Sequence, residues 1–212
     1  MPGRVALRLA TEESVSGRLL ALEGCPGAGG AAQAAMLRDW LEVQGWPVLE
    51  TVPTGEEPGW AAAGEDGYPL AGSLWRAAGL AEAVEHRIRP ALEAGFVVLV
   101  HPYVHTLAAV CRTAGARRSW VERVFRFAPA AHTAYLRTAP AEGLRRVLAR
   151  DGKLDRPGPG GAAQFLHRWE RLQRVLDEAA GKHGFRTVDA GEPGQVVQEQ
   201  LRRWAEELLV KG

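Results

Sequence analysis

Leu19–Trp46 reads LLALEGCPGAGGAAQAAMLRDWLEVQGW, and three changes of pattern inside it decide the fold. From Arg18 to Glu23 (RLLALE) the residues are apolar almost without a break, as in a buried strand. Glycine then recurs at Gly24, Gly27, Gly29 and Gly30, the residue type that tolerates a tight turn. Beyond it, Met36, Leu37, Trp40 and Leu41 return at the spacing of one helix face, and Gly45 supplies a stop. The opening unit is therefore strand, glycine turn, helix.

The rest of the chain repeats the alternation. PVLET (Pro47–Thr51) predicts a second strand, and the stretch from Pro53 to Gly72, rich in Gly, Pro and acids, reads as a loop. Leu80, Val84, Ile88 and Leu92 form a helical stripe whose last turn Pro90 should bend. FVVLV (Phe96–Val100) is the strongest strand, apolar on both faces as in the centre of a parallel sheet. Ser119 and Glu122 stand at capping-box spacing before Val124 and Phe125. HTAYL (His132–Leu136) and FRTVDA (Phe185–Ala190) read as strands. Leu144, Val147 and Leu148, then Phe165, Trp169, Leu172 and Leu176, then Val197, Leu201, Trp204 and Leu208 mark three helices. DGKLDRPGPGG (Asp151–Gly161) reads as a mobile loop. Such a chain predicts a three-layer α/β/α fold around a central parallel sheet, in one domain over residues 18–212. Residues 1–17, where Val5, Leu7 and Leu9 alternate with Arg4 and Arg8, read as a short strand or an extended arm.

Composition narrows the partners. At 212 residues the chain suits one well-packed domain, and 46% hydrophobic with 24% charged residues is ordinary for a globular protein. A net charge of +1 disfavours a dedicated nucleic-acid binder. Two cysteines, Cys25 and Cys111, are too few for a disulfide framework. No run approaches the ~18 apolar residues of a membrane span, and the first residues lack the apolar core of a signal peptide, so a cytoplasmic location is expected.

Four segments in order carry a specific resemblance. They are LEGCPGAGGAAQ, RPALEAGFVVLVHPYV, TAYLRTAPAEGLRRVLAR and LDRPGPGGAAQFLHRW. Together they resemble the thymidylate kinases, P-loop nucleoside-monophosphate kinases, over most of the length from about Gly17. The resemblance implies a P-loop NTPase fold, a lid near residues 150–161, and a homodimer formed through helices on one sheet face. It places phosphate binding at Gly24, Gly27, Ala28, Gly29, Gly30, Ala31 and Ala32. It places the substrate pocket at Trp75, Arg76 and Tyr103, and lid cations at Arg145, Arg146, Arg150 and Arg156, with Asp155 beside the last.

The chain departs from the family pattern where the chemistry resides. The family's lysine falls on Gly30 and its hydroxyls on Ala31 and Ala32; these neutralise the β and γ oxygens and bind Mg²⁺. The acid two residues past the first glycine falls on Pro26, and the Asp-Arg pair closing the central strand on His101 and Pro102. Thr51, Val52 and Pro53 replace an Arg-Glu-Pro. The expectation is a pseudoenzyme: a scaffold, or a weak nucleotide- or phosphate-binding protein, with no cofactor and with an unidentified protein partner, for which the arm at 1–17 is a candidate surface. The competing expectation is a divergent nucleoside-monophosphate kinase that uses ATP and Mg²⁺, with lid arginines standing in for the lysine.

Other residues bear on chemistry more weakly. The glycine turn serves an anion by its N–H groups, or simply the strand-to-helix geometry. His101 and His105 stand four apart, but Pro102 between them opposes the helix a shared metal would need. Cys25 lies at a helix start, where a thiolate gains stability, yet with no base nearby it also reads as a packing residue.

Overall fold

A computed structural model of the chain describes residues 17–53, 69–152 and 161–209. The arm at 1–16, most of the loop after Pro53, and the lid segment with Asp155 and Arg156 lie outside the described residues.

Among the described residues five strands form one parallel sheet: β1 (Arg18–Gly24), β2 (Val48–Thr51), β3 (Val97–Val100), β4 (His132–Arg137) and β5 (Arg186–Asp189). Their order across the sheet is β2-β3-β1-β4-β5. Leu20 of β1 pairs with Leu99 of β3 on one side and His132 of β4 on the other. The helices are α1 (Gly30–Val43), α2 (Pro69–Ala83), α3 (Arg89–Glu93), α4 (Val104–Thr113), α5 (Arg118–Val124), α6 (Pro140–Asp151), α7 (Gly161–His183) and α8 (Gly194–Leu209).

Strand alternation sorts the core into two layers. Leu20, Leu22, Val97, Leu99, Ala134 and Leu136 face α1 and α8, meeting Leu37, Leu41, Leu201 and Trp204. Leu19, Ala21, Val98 and Val100 face the other way, onto Leu80 of α2, Leu107 and Cys111 of α4 and Val121 of α5. Tyr135 and Ala109 extend that second layer to Leu172 and Leu176 of α7. The sheet is therefore buried on both faces, as the unbroken apolar runs of β1 and β3 require. Each fully buried leucine contributes about 2 kcal/mol.

Three local expectations are corrected. The segment assigned to a loop as far as Gly72 is already helical from Pro69, because Pro is accommodated at a helix start and the small residues Ala71, Gly72 and Ser73 pack inward. The helical stripe is distorted upstream of Pro90: Val84–Ile88 is a π-helical turn, with the Arg89 N–H bonded to the Val84 carbonyl. A proline ring crowds the carbonyl four residues before it, and widening that turn relieves the crowding. Ser119 lies inside α5, whose N-cap is Arg117, so the capping-box reading fails there.

Strand β1 occupies the middle, and the chain leaves it toward β2 and β3 on one side but toward β4 and β5 on the other. At such a switch point the loops past the strand ends diverge and leave a crevice. The glycine turn opens into it.

Candidate functional site

The turn from Gly24 to Gly30 is held by short backbone bonds. Ala28 N–H donates to the Cys25 carbonyl (3.1 Å), and Gln33 N–H to that of Gly29 (2.9 Å), starting α1. Gly27 and Gly29 have φ of 80° and 86°, which glycine adopts freely. The amides of Gly30, Ala31 and Ala32 precede the first intrahelical bond, at exposed or half-buried positions. A side chain on Gly30 would meet nothing within 4 Å. Behind the turn, Gly27 lies directly on Gly143 of α6.

Glu23, the last side chain of β1 before the turn, is buried. Its carboxylate accepts the N–H groups of Tyr103 (3.2 Å), His105 (2.9 Å) and Thr106 (2.9 Å), the start of α4. Tyr103, the N-cap of α4, makes no side-chain capping bond, so an acid from the central strand does the capping. The Thr106 hydroxyl in turn accepts Gly24 N–H at 3.1 Å. Burial pushes the Glu23 carboxyl above the usual carboxylate range, against the lowering pull of the Thr106 hydroxyl and these amides. Glue of this kind ties the glycine turn to α4.

At the end of β3, His101 Nε2 lies 2.9 Å from Glu50 Oε1 on β2, and Glu50 Oε2 accepts Arg38 Nη1 of α1 at 2.7 Å. The imidazole is fixed in place by a carboxylate that is itself fixed by a guanidinium. His105 turns elsewhere: its ring packs 4.6 Å from Phe185 and 5.1 Å from His183, and burial lowers its pKa to about 4. The two histidines do not share a site. Cys25 is buried and burial pushes its thiol up to about 12, so the helix start does not produce a thiolate there.

The glycine turn, Arg76, His101, Pro102, Thr106, Arg146 and Arg150 line one cleft of about 690 Å³. All seven residues expected to bind phosphate, from Gly24 to Ala32, are on its wall. Arg76 is buried there. Trp75 and Tyr103 are not on the described wall; the Tyr103 hydroxyl donates instead to the Pro129 carbonyl at 2.8 Å. Arg146 donates to Glu142 (2.8 Å) and to the Ala190 carbonyl (2.7 Å), spanning from α6 to the end of β5. Arg145 points away to Glu142, whose carboxyl the two arginines hold down at about 2.

Sequence reasoning passed over Glu23, Arg38, Glu50, Thr106 and Gly143. Only Glu23 carried a local signal, as the one acid inside an apolar strand.

The cleft's position at the end of β1, with a glycine turn leading into a helix, is matched by whole-chain similarity. A thymidylate kinase of Clavibacter sepedonicus is 32% identical over 93% of this chain and 99% of its own. The chain belongs to the thymidylate kinase family. A thymidylate kinase of Thermomicrobium roseum is 31% identical over 91% of this chain and 96% of its own. A probable thymidylate kinase of Pyrococcus abyssi reaches 36% over 63% and 71%. No protein-family model matches the chain.

Phosphate groups fit the start of α1 in this member, where the space beside Gly29 and Gly30 is open and the Gly30, Ala31 and Ala32 amides have no backbone acceptor among the described residues. Magnesium fits poorly. It takes oxygen ligands, and the one side-chain oxygen on the described wall is the Thr106 hydroxyl, already engaged with Gly24.

Proposed function

We propose that this thymidylate kinase family member has lost phosphoryl transfer and serves as a scaffold, with weak nucleotide or phosphate binding retained in the cleft. One observation carries the reading: Gly30, Ala31 and Ala32 stand at the start of α1, where the family places its lysine and hydroxyls. Phosphoryl transfer depends on positioning and charge stabilisation, and single stabilising groups are worth on the order of 3–4 kcal/mol in such sites. Loss of lysine, metal ligand and acids together leaves little of the rate, although the effects are not additive.

Purified protein supplied with ATP, dTMP and Mg²⁺ is expected to make no dTDP above a no-protein control. Turnover that is abolished by a mutation within the chain sinks the reading. As a scaffold the protein works through contacts, first with a second copy of itself. Light scattering is expected to give a dimer, and a clean monomer at micromolar concentration argues otherwise.

A second reading has its own support. Arg146 and Arg150 lie on the same cleft wall as the glycine turn, the place from which a lid cation would replace the lysine. Under it the chain is a divergent nucleoside-monophosphate kinase using ATP and Mg²⁺. Tight, Mg²⁺-dependent ATP binding in calorimetry favours this reading.

A further inference from the structure

We propose that the cleft takes a phosphate ester in its metal-free, fully ionised form, so that Mg²⁺ opposes binding. The inference rests on the non-catalytic reading above and concerns the charge that a ligand meets on entering.

The described wall carries three guanidinium groups, Arg76, Arg146 and Arg150, one imidazole, His101, and no carboxylate. Arg76 and His101 are 5% and 7% exposed, so this lining is built into the fold. The acids that pair with it are not among the lining residues: Glu50 holds His101 at 2.9 Å, Glu142 holds Arg146 at 2.8 Å, and Asp151 holds Arg150 at 2.6 Å. A ligand therefore meets guanidinium groups and an imidazole on the described wall, and no carboxylate among its lining residues. For His101 and Arg146 the pairing also fixes side-chain direction before a ligand arrives, which lowers the ordering cost of binding.

A wall of this kind discriminates between two forms of the same anion. Free polyphosphate brings its whole negative charge to the guanidinium groups, and its oxygens compete for their donors with Glu142 at Arg146 and with Asp151 at Arg150. Its Mg²⁺ complex brings two fewer negative charges and a hydrated dication that must sit among guanidinium groups with no carboxylate to receive it. A cleft of about 690 Å³ is of the size that holds a nucleoside phosphate.

The test is calorimetric titration of the full chain with pyrophosphate and with ADP, once in EDTA and once in millimolar Mg²⁺. Both probes are expected to bind in EDTA and to weaken tenfold or more in Mg²⁺. Arg150→Gln, at an exposed position, is expected to weaken binding several-fold with the melting temperature unchanged, and His101→Gln to do so with the Glu50 contact kept by the amide. Affinity that is equal or tighter in Mg²⁺, or no binding of either probe, overturns the proposal. The assay for dTDP formation is read separately: turnover sinks the non-catalytic reading, whereas Mg²⁺-tightened binding without turnover sinks only this one.

Discussion

Gly27 and Gly143 meet backbone to backbone: a methyl group on Gly27 would overlap the Gly143 carbonyl, and one on Gly143 would lie 2.8 Å from the Pro26 carbonyl oxygen. The glycine turn is thus pressed onto the first turns of α6, with Trp169 of α7 closing in behind Gly143. Gly27→Ala adds overlap to a φ of 80°, whereas Gly29→Ala, at φ 86°, has open space around it. Gly29→Ala is expected to cost about 1 kcal/mol of stability and Gly27→Ala about 2–4 kcal/mol. Urea unfolding of the two variants checks the order; equal losses would mean that the turn does not bear on α6.

Gly30 offers the converse case. Nothing lies within 4 Å of a side chain placed there, and Ala31 and Ala32 are exposed. The triple variant Gly30→Lys, Ala31→Ser, Ala32→Thr is expected to fold with unchanged cooperativity and stability within about 1 kcal/mol, the lysine's penalty at a helix N-terminus offsetting its gain over glycine. It should also gain Mg²⁺-dependent ATP affinity of tenfold or more over the parent chain. Thermal unfolding and titration with Mg·ATP measure both.

Much of this site was legible in sequence because it is local. The turn, the first residues of α1 and the buried strands β1 and β3 are each written in a handful of neighbouring residues, and patterns of period 2 or 3.6 report them. What the sequence hid is what folding brings together across distance. Glu23 and Tyr103 are 80 residues apart, and His101 and Glu50 are 51 apart. The contact of Gly27 with Gly143 left no trace, since a glycine inside a helix reads the same whether it touches a loop or solvent. The start of helix α2 is not legible, because its first turn is Pro, Leu, Ala and Gly, a composition shared with loops.

Glu23 links strand, turn and helix, and its removal tests that link. Glu23→Ala leaves the amides of Tyr103, His105 and Thr106 without their acceptor in a buried place. A buried amide stripped of its partner costs about 1–3 kcal/mol. The variant is expected to lose on the order of 3 kcal/mol and to show faster amide hydrogen exchange at the start of α4. Exchange that stays slow there would show that another group caps the helix.

His105 makes stability depend on pH. Its folded pKa is lowered to about 4 from 6.5, first by burial and then by His183 and Lys182. Below pH 6.5 the unfolded chain takes up a proton that the folded chain refuses, so stability falls as pH drops from 6.5 toward 4 and is fully present above 6.5. Between pH 7 and pH 5 the loss from this residue is at most about 2 kcal/mol. Glu23 acts in the opposite sense, because its raised carboxyl takes up its proton in the folded chain first. The total profile therefore mixes two signs, and a variant is needed to separate them. His105→Phe keeps the backbone N–H on Glu23 and an aromatic ring beside Phe185 while removing the titrating nitrogen. Denaturation midpoints at pH 7 and pH 5 should fall less for the variant than for the parent. An identical fall would place the acid sensitivity elsewhere.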